Sequence, residues 1–590
     1  MLDEQTNCVA EIVTRYDNDP LRLMDIARAV HAQLGHISES TIGQIAKALG
    51  IERIKVRDMV SFYAFFSRQP QGKTVIRLCH AVVERMKGAD AVAEAFEKAL
   101  DIAFGETTAD GLITLEYTAC IGLSGQAPGA LINNIPFTNL TPKDVPQIVE
   151  AIRKGADLTT LPQAEVDLGL RQPGPVIFAP MERGAAIRKA LNMTPEEVIN
   201  EMNKARLRGR GGAGFPTAMK WDFCRKAEGE KHYVVCNADE GEPGTFKDRV
   251  VLTEQADLIF EGMTVAGYAI GAEEGLVYLR AEYEFLYKHL EQVLAKRRHL
   301  GLLGENACGR EGFNFDIRIQ MGAGAYICGE ESALIESLEG KRGAPRDRPP
   351  FPVQCGYKNQ PTSVNNVETL CCAARIMVEG GEWFSKIGTV DSTGTKLLSI
   401  SGDCEHPGVY EVEYGITIQK LFDMVGANGT QAIQIGGPSG ICLAPKDFGR
   451  KISFEDLPTG GSIIIFGEER DLLECMRQFM DFFVEESCGW CTPCRVGTTL
   501  MEQYFKKILD GKGSQEDLAE LEKLGVTVKT MSRCGLGQTA ANPILTTLRN
   551  FPDLYDARIK SDTFVPPFDL KLAQQAGCVA ANRQAAVEEN

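Results

Sequence analysis

Arg208-Gly209-Arg210-Gly211-Gly212-Ala213-Gly214-Phe215-Pro216 is the stretch on which the fold assignment turns. Gly209, Gly211 and Gly214 make a formal G-x-G-x-x-G, the spacing of a dinucleotide-binding turn, which requires a strand before it and a helix after it. Pro195 to Leu207 carries helical periodicity instead, so the Rossmann assignment fails. The loop can still hold phosphate. Glycine amides approach an anion closely, and Arg208, Arg210 and Lys220 supply positive charge. A tight structural turn is the competing reading of the same residues.

Two further glycine-rich loops follow strand-like runs. Cys236-Asn237-Ala238-Asp239-Glu240-Gly241-Glu242 comes after Tyr233-Val234-Val235, and Gly322-Ala323-Gly324-Ala325-Tyr326-Ile327-Cys328-Gly329-Glu330-Glu331 comes after Ile317-Arg318-Ile319-Gln320. Acidic and amide side chains at strand ends suit hydrogen bonds to sugar or ribityl hydroxyls and to ring nitrogens. One such loop reads as a solvated turn; three in one α/β block read as a shared nucleotide site. Phe215, Phe223 and Phe351 could stack on flat rings, a contact of about 1–3 kcal/mol per base. Singly, each is more often a core residue.

Glu485-Glu486-Ser487-Cys488-Gly489-Trp490-Cys491-Thr492-Pro493-Cys494-Arg495 places three thiols two residues apart. That C-x2-C-x2-C run is what a cubic iron–sulfur cluster asks of a protein, and Cys534, in Ser532-Arg533-Cys534-Gly535, is the candidate fourth ligand. A structural zinc site also takes four thiolates but prefers two separated C-x2-C pairs. A zinc-stapled scaffold without redox activity is therefore the rival from a different class.

Composition sets the outer limits. At 590 residues the chain is too long for one core, and length alone suggests about four domains. Its 44% hydrophobic and 24% charged content is ordinary for a soluble globular protein. No apolar run nears the roughly 20 residues that span a bilayer, so no membrane insertion is expected. The acidic, polar start at Met1-Leu2-Asp3-Glu4 does not read as a secretion signal, which points to the cytoplasm. Eighteen cysteines there argue against a disulfide framework, and Cys371 and Cys372 read as small buried hydrophobes. A net charge of −17 disfavours nucleic acid as a partner.

The expected fold class is multidomain α/β. Residues 1–70 read as short helices, one opened by capping residues in Ser38-Glu39-Ser40-Thr41-Ile42, and 71–165 as a small α/β unit with strands near Thr74–Cys79 and Leu112–Tyr117 and a helix over Ala89–Leu100. Polar, Pro-containing sequence from about 155 to 180 reads as a linker. Residues 180–394 form the α/β block with the glycine-rich loops, 395–460 a β-rich unit, and 465–590 a helical bundle with the cysteines.

Taken together, RGRGGAGFPTAMKW, NADEGEPGTFKDR, GAGAYICGEESALIESLEGKRGAPRDRPPFP and ESCGWCTPCR resemble the flavoprotein subunit of respiratory complex I and its relatives, over roughly residues 180–540. The resemblance implies FMN held by Gly209, Gly211, Gly212, Ala213, Gly214, Lys220, Asn237, Asp239, Glu240, Gly329, Glu330, Asn365 and Asn366, with Arg208 and Arg210 flanking. It implies NAD(H) against Phe215, Phe223 and Phe351, with Glu242 and Glu331 orienting it and Arg348 where the family usually carries lysine. It implies a [4Fe–4S] cluster on Cys488, Cys491, Cys494 and Cys534. The β-rich unit resembles that family's ubiquitin-like (β-grasp) insert.

The N-terminal part is similar to the family's companion thioredoxin-like subunit, which carries a [2Fe–2S] cluster on C-x4-C and C-x3-C. This chain keeps Cys79 and Cys120 but has Glu84 and Ser124 at the other two positions. Carboxylate and hydroxyl are poor ligands for such a centre, so no [2Fe–2S] cluster is expected. A fused, cluster-less N-terminal domain resembles the diaphorase flavoprotein subunits of soluble NAD-reducing [NiFe]-hydrogenases. That implies an NAD-dependent oxidoreductase whose partners are a second iron–sulfur diaphorase subunit and the NiFe hydrogenase subunits. The NADH-side subunit of an NAD-dependent formate dehydrogenase, or a fused complex I subunit, would share the chemistry with a different partner. No side-chain nucleophile or acid–base dyad is expected.

Overall fold

The computed structural model describes residues 2–566 and 570–580, and the chain divides into two compact units after Glu468. The first begins with four amphipathic helices, Leu2–Arg15, Leu23–Leu34, Glu39–Leu49 and Arg53–Phe62. Ser38 caps the third, its hydroxyl accepting from the Thr41 amide at 3.1 Å.

A mixed four-stranded sheet follows, from β1 (Thr74–Cys79), β2 (Ile113–Thr118), β3 (Ala130–Ile132) and β4 (Ile135–Phe137), in the order β2-β1-β3-β4. The helices Ala89–Leu100 and Val145–Lys154 contribute their apolar faces to the core of this sheet. Strand β4, a hairpin partner of β3, is an element the sequence pattern does not reveal, because three residues are too few to show a period.

The supposed linker contains β5 (Leu170–Gln172), which joins a second sheet. The chain just beyond it is pinned by one distant side chain. The Glu411 carboxylate accepts from the amides of Gly174, Val176 and Ile177 at 2.9–3.0 Å. A carboxylate more than 200 residues away leaves no local trace in sequence.

The third sheet is fully parallel and positions the functional residues. It consists of β6 (Tyr233–Ala238), β7 (Glu274–Leu279), β8 (Asp316–Met321) and β9 (Thr362–Asn366), in the order β8-β7-β6-β9. The central strands β6 and β7 are largely apolar, as expected of strands covered on both faces, whereas β8 and β9 carry Arg318, Gln320, Asn365 and Asn366. Against it lie Ala256–Ile270 and Val367–Glu379, where Cys371 and Cys372 are fully buried. The two helices touch at Gly262: a β-carbon there would stand 2.1 Å from the Leu370 carbonyl oxygen.

The second sheet is completed by β10 (Thr395–Gly402), β11 (Gly408–Glu413), β12 (Thr430–Ile435), β13 (Ile441–Leu443) and β14 (Ser462–Gly467), in the order β13-β12-β14-β10-β11-β5. The β-rich unit thus runs past 460, since β14 lies between β10 and β12. The second unit is helical, with Leu472–Glu486, Thr492–Leu509, Gln515–Met531 and Asn542–Asn550 as its main elements. Among the described residues, no helix is long and apolar enough to cross a membrane.

Gly262→Ala should force the two central helices apart. Overpacking of this kind costs about 1–3 kcal/mol, so a thermal melt should show a clear loss of stability.

Candidate functional site

Parallel strands bring their carboxyl ends to one edge, where open α/β sheets bind ligands. Strands β6 and β9 pair in register, so that Cys236 lies beside Asn365 and Asn237 beside Asn366. The Asn237 side-chain amide donates to the Gly329 carbonyl at 2.8 Å, joining the loops after β6 and β8, while its oxygen accepts from the Asp239 amide. The buried Trp221 indole donates to Asn365 at 3.2 Å and fixes the orientation of that amide. Trp221 is a positioning residue that sequence reasoning missed, although it follows Lys220 directly.

The glycine-rich loop connects the helices Pro195–Lys204 and Thr217–Lys226, so no strand precedes it. Gly214 sits at φ +65°, and a β-carbon there would come within 2.5 Å of the Phe454 ring; only glycine fits. Gly212 has φ +119°. Gly211 lies against Asn366, which brings the loop, Ala213 included, to the end of β9.

The two arginines depart from expectation. Arg208 donates to the Gly214 carbonyl at 2.7 Å and packs its guanidinium over Phe454. Arg210 is buried, donates to the Thr393 carbonyl at 2.6 Å and lies over the Tyr414 ring. Both brace the loop from behind rather than offering charge to a phosphate. Sequence shows a charge but not the direction of a long side chain, and here distant carbonyls set it. Lys220 does face the site, donating to Glu331 and to the Val364 carbonyl, each at 3.1 Å.

The glutamates divide into two sets. Glu240 turns inward: it accepts from the amides of Asp248 and Arg249 and from the Tyr283 hydroxyl, and burial, aided by the charge of Asp248, raises its pKa to about 7. It holds a helix start and is not presented to a ligand. Glu330 caps the helix Glu331–Leu338 with one oxygen. Its other oxygen, Oε1, is buried without a hydrogen-bond donor, with the Arg348 guanidinium 3.5 Å away. Glu242 accepts from the Tyr326 hydroxyl at 2.5 Å and from the Ser439 amide at 2.7 Å, and burial raises its pKa to about 7. Phe215, Phe223 and Phe351 are each nearly half exposed, unusual for phenylalanine and suited to covering a flat ring. Arg348 lies over Phe351.

Beneath this edge is a charge cluster that sequence reasoning missed altogether. The fully buried Glu368 pairs with Lys396 at 2.5 Å and Lys247 at 3.0 Å. Lys247 also pairs with Asp248 at 2.6 Å, and Asp248 accepts from the Asn366 amide at 2.7 Å. Lys396 donates to the Arg210 carbonyl at 3.1 Å, which ties the glycine-rich loop into the cluster. Burial lowers Lys396 to about 8 against the pull of Glu368. Burial would raise Glu368, but the ammonium groups of Lys396 and Lys247 outweigh it and hold it below its ordinary value. Lys247 and Asp248 lie within the quoted NADEGEPGTFKDR, the only signal that could have found them.

In the second unit Cys491 precedes the helix Thr492–Leu509, with Pro493 in its first turn and Cys494 buried inside it. A helix start favours thiolate through its dipole. Cys534 is buried at the start of Gly535–Thr539. Burial raises Cys494 to about 11 and Cys534 to about 12, and the neighbouring cysteines push both further in that direction. Cys488, Cys491, Cys494 and Cys534 are thus near enough to act on one another electrostatically.

In the N-terminal sheet, Glu84 occupies the middle of the group formed with Cys79, Cys120 and Ser124. Its carboxylate accepts from the Ser124 hydroxyl and the Gly129 amide, each at 3.2 Å, and Ser124 lies 3.5 Å from the Cys120 thiol. All four side chains are buried, and burial raises Glu84 to about 8. Arg280, rooted after β7, donates to the Cys120 carbonyl at 2.7 Å and to the Glu240 carbonyl, linking this group to the large block.

Three family models match the chain: the Nuo51 FMN-binding domain over residues 202–375, the thioredoxin-like [2Fe-2S] ferredoxin over 9–153, and the NADH-ubiquinone oxidoreductase-F iron-sulfur binding region over 474–558. The chain is 48% identical to the NAD-reducing hydrogenase HoxS subunit alpha of Cupriavidus necator, across 96% of this chain and 97% of that protein. It is 41% identical to the F-type chain of the NADH-quinone oxidoreductase of Aquifex aeolicus over 65% of this chain and 90% of the relative. It superimposes on a crystal structure of NAD+-reducing [NiFe]-hydrogenase in the H2-reduced state with a TM-score of 0.87 and 36% identity, covering 96% of this chain and 97% of that one. The chain belongs to the family of NAD-reducing hydrogenase alpha subunits and complex I F-type flavoprotein subunits. It is an NAD-dependent oxidoreductase with an N-terminal thioredoxin-like region, an FMN-binding domain and a C-terminal iron–sulfur region.

Glu368→Gln would leave the buried Lys396 without its carboxylate and Lys247 with Asp248 alone. Breaking a buried pair in this way costs about 3–5 kcal/mol, so the variant should lose bound flavin and melt earlier. Glu84 gives a second test. Its raised pKa means the folded chain holds a proton that the unfolded chain releases near 4.5, so its contribution to stability is lost as pH rises from there to about 8. Thermal melts across that range should show a shallower slope for Glu84→Gln than for the parent chain.

Proposed function

We propose that this chain is the NAD(H)-side subunit of a soluble NAD-reducing hydrogenase (H2 + NAD+ = H+ + NADH). What carries the reading is the union in one chain of all three regions with a cysteine-depleted N-terminal site, alongside 48% identity over nearly the full length to a subunit so named. Its partners would be a second iron–sulfur diaphorase subunit and the NiFe subunits, and it would work in the cytoplasm.

FMN would lie along the glycine-rich loop and the ends of β6 and β9. Gly209 to Gly214 would face its phosphate, and Asn237, Asp239, Asn365 and Asn366 its polar edges. The donor-less Glu330 Oε1 and the exposed backbone at Gly211 and Ala213 fit such a ligand. Glu240 is better assigned to positioning, since its carboxylate is engaged inward. Once bound, the flavin supplies the exchange between paired and single electrons.

The protein's contribution is alignment. Phe215, Phe223 and Phe351 would cover the rings of NAD(H), which gives proximity and orientation. Glu242 and Glu331 would disfavour a 2′-phosphate and so favour NAD over NADP. Cys488, Cys491, Cys494 and Cys534 would hold one [4Fe–4S] cluster as the outlet for single electrons. The group around Glu84 supports an N-terminal domain that carries no [2Fe–2S] cluster, because two of its four positions offer oxygen in place of thiolate.

Two measurements decide between readings. Cys491→Ala should still reduce a soluble dye with NADH while electron delivery to the partner stops; loss of dye reduction with FMN retained would refute the order of carriers. The purified chain should contain about four iron atoms, and Glu84→Cys with Ser124→Cys should raise that to about six with a new [2Fe–2S] spectrum. Six in the unmodified chain would overturn the cluster-less assignment. Nickel in the complex purified from native cells identifies the hydrogenase, and molybdenum would indicate a formate dehydrogenase instead.

A further inference from the structure

The N-terminal helices reach the nucleotide-binding edge directly. The Ala64 amide donates to the Gly324 carbonyl and the Phe65 amide to the Ala323 carbonyl, both at 3.0 Å. Arg28 donates to the Gly322 carbonyl at 2.8 Å while its other nitrogen pairs with Glu284 at 2.6 Å. Three consecutive carbonyls of the loop after β8 are thus held by residues from the start of the chain. Gly324, at φ +79°, gives up its β-carbon position to the Phe65 ring, 2.4 Å from where that atom would be.

A second loop is held from the same segment. The Tyr63 hydroxyl donates to the Lys341 carbonyl at 2.8 Å, and a β-carbon on Gly343 would lie 3.3 Å from the Phe62 ring and 2.4 Å from the Cys328 sulfur. Arg342 pairs with Asp58 and lies over Phe62. The clamped stretches lead straight into the site. Gly322 to Ala325 run into Tyr326, which holds Glu242, and into Gly329, which accepts from Asn237. Residues 341–343 run toward Arg348 and Phe351.

We propose that the segment Arg28 to Phe66 is a clamp that positions both NAD(H)-binding loops, with Arg28 and Tyr63 as its positioning residues. The proposal rests on the nucleotide site described above and gives the fused N-terminal part a task that needs no cluster. The loop Gly322-Ala323-Gly324-Ala325 is small and glycine-rich, so it loses much backbone entropy when ordered and does not hold its shape unaided. Hydrogen bonds from a covalently attached segment order it before the ligand arrives, and attachment keeps the clamp at high effective concentration.

The test uses the full-length, flavin- and cluster-loaded chain with Arg28→Gln, Arg28→Lys and Tyr63→Phe. NADH affinity is measured by equilibrium titration, loop order by amide hydrogen exchange over residues 322–329 and 340–343, and flavin content by absorbance. Loss of one such hydrogen bond should weaken NADH binding by about three- to tenfold and raise KM in step, with kcat little changed. Exchange in the loops should quicken, flavin content should hold, and Arg28→Lys should recover much of the affinity. Unaltered NADH affinity in both Arg28→Gln and Tyr63→Phe would overturn the clamp, as would flavin loss in parallel with affinity loss. Tyr63→Phe removes only a hydroxyl, so it carries the test if Arg28→Gln fails to fold. Failure of the parent chain to bind NADH would refute the nucleotide site itself, a result distinct from the others.

Discussion

A carboxylate with two lysines around it, closed off from water, is the constraint on which the redox site rests. Glu368 starts the helix behind β9, Lys247 opens the helix Lys247–Glu254 that follows β6, and Lys396 comes from β10. None of these charges could stay buried alone, since each would shed its proton or take one up before accepting the desolvation cost. Together they bind three remote segments at one point. Asn366, the Arg210 carbonyl and the helix start inherit their places from that arrangement. The glycine-rich loop is thus shaped by ionic contacts behind it and left bare in front.

The same division recurs across the first unit. Groups that hold the frame are buried and turned inward: Arg210, Glu240, Trp221 and Glu411 each bond to backbone or side-chain groups of other elements. Groups left facing the edge are aromatic rings, small loops and a few polar atoms. Rigid support beneath an open surface is what orientation-driven chemistry requires, because a reacting pair gains most from geometry fixed in advance. Glu242 joins the two sets, held by Tyr326 on one side and by Ser439 from the β-rich unit on the other.

The N-terminal region keeps a buried polar group inside a thioredoxin-like fold. Glu84 and Ser124 close a hydrogen-bond network with Gly129 and Cys120. A buried carboxyl with two donors keeps the loops together at modest cost, and its raised pKa favours the neutral form that such a dry place tolerates. The region also stays joined to the large block through Arg280 and through the helical segment that ends at Phe66.

Local pattern determined a good deal. The helix ahead of Arg208 excluded a Rossmann turn, the strand at Thr74–Cys79 and the helix at Ala89–Leu100 fall where periodicity puts them, and the spacing of Cys488, Cys491 and Cys494 marks them as candidate ligands. These are short-range signals, written within a few turns of chain. Tertiary structure decided the rest: that Arg210 faces inward, that residues 170–178 are anchored to Glu411, that β14 completes the β-rich sheet, and that Glu368 gathers two lysines. Each of these depends on partners well beyond one turn or hairpin of chain, often a backbone carbonyl or amide, which every residue possesses and no sequence pattern marks.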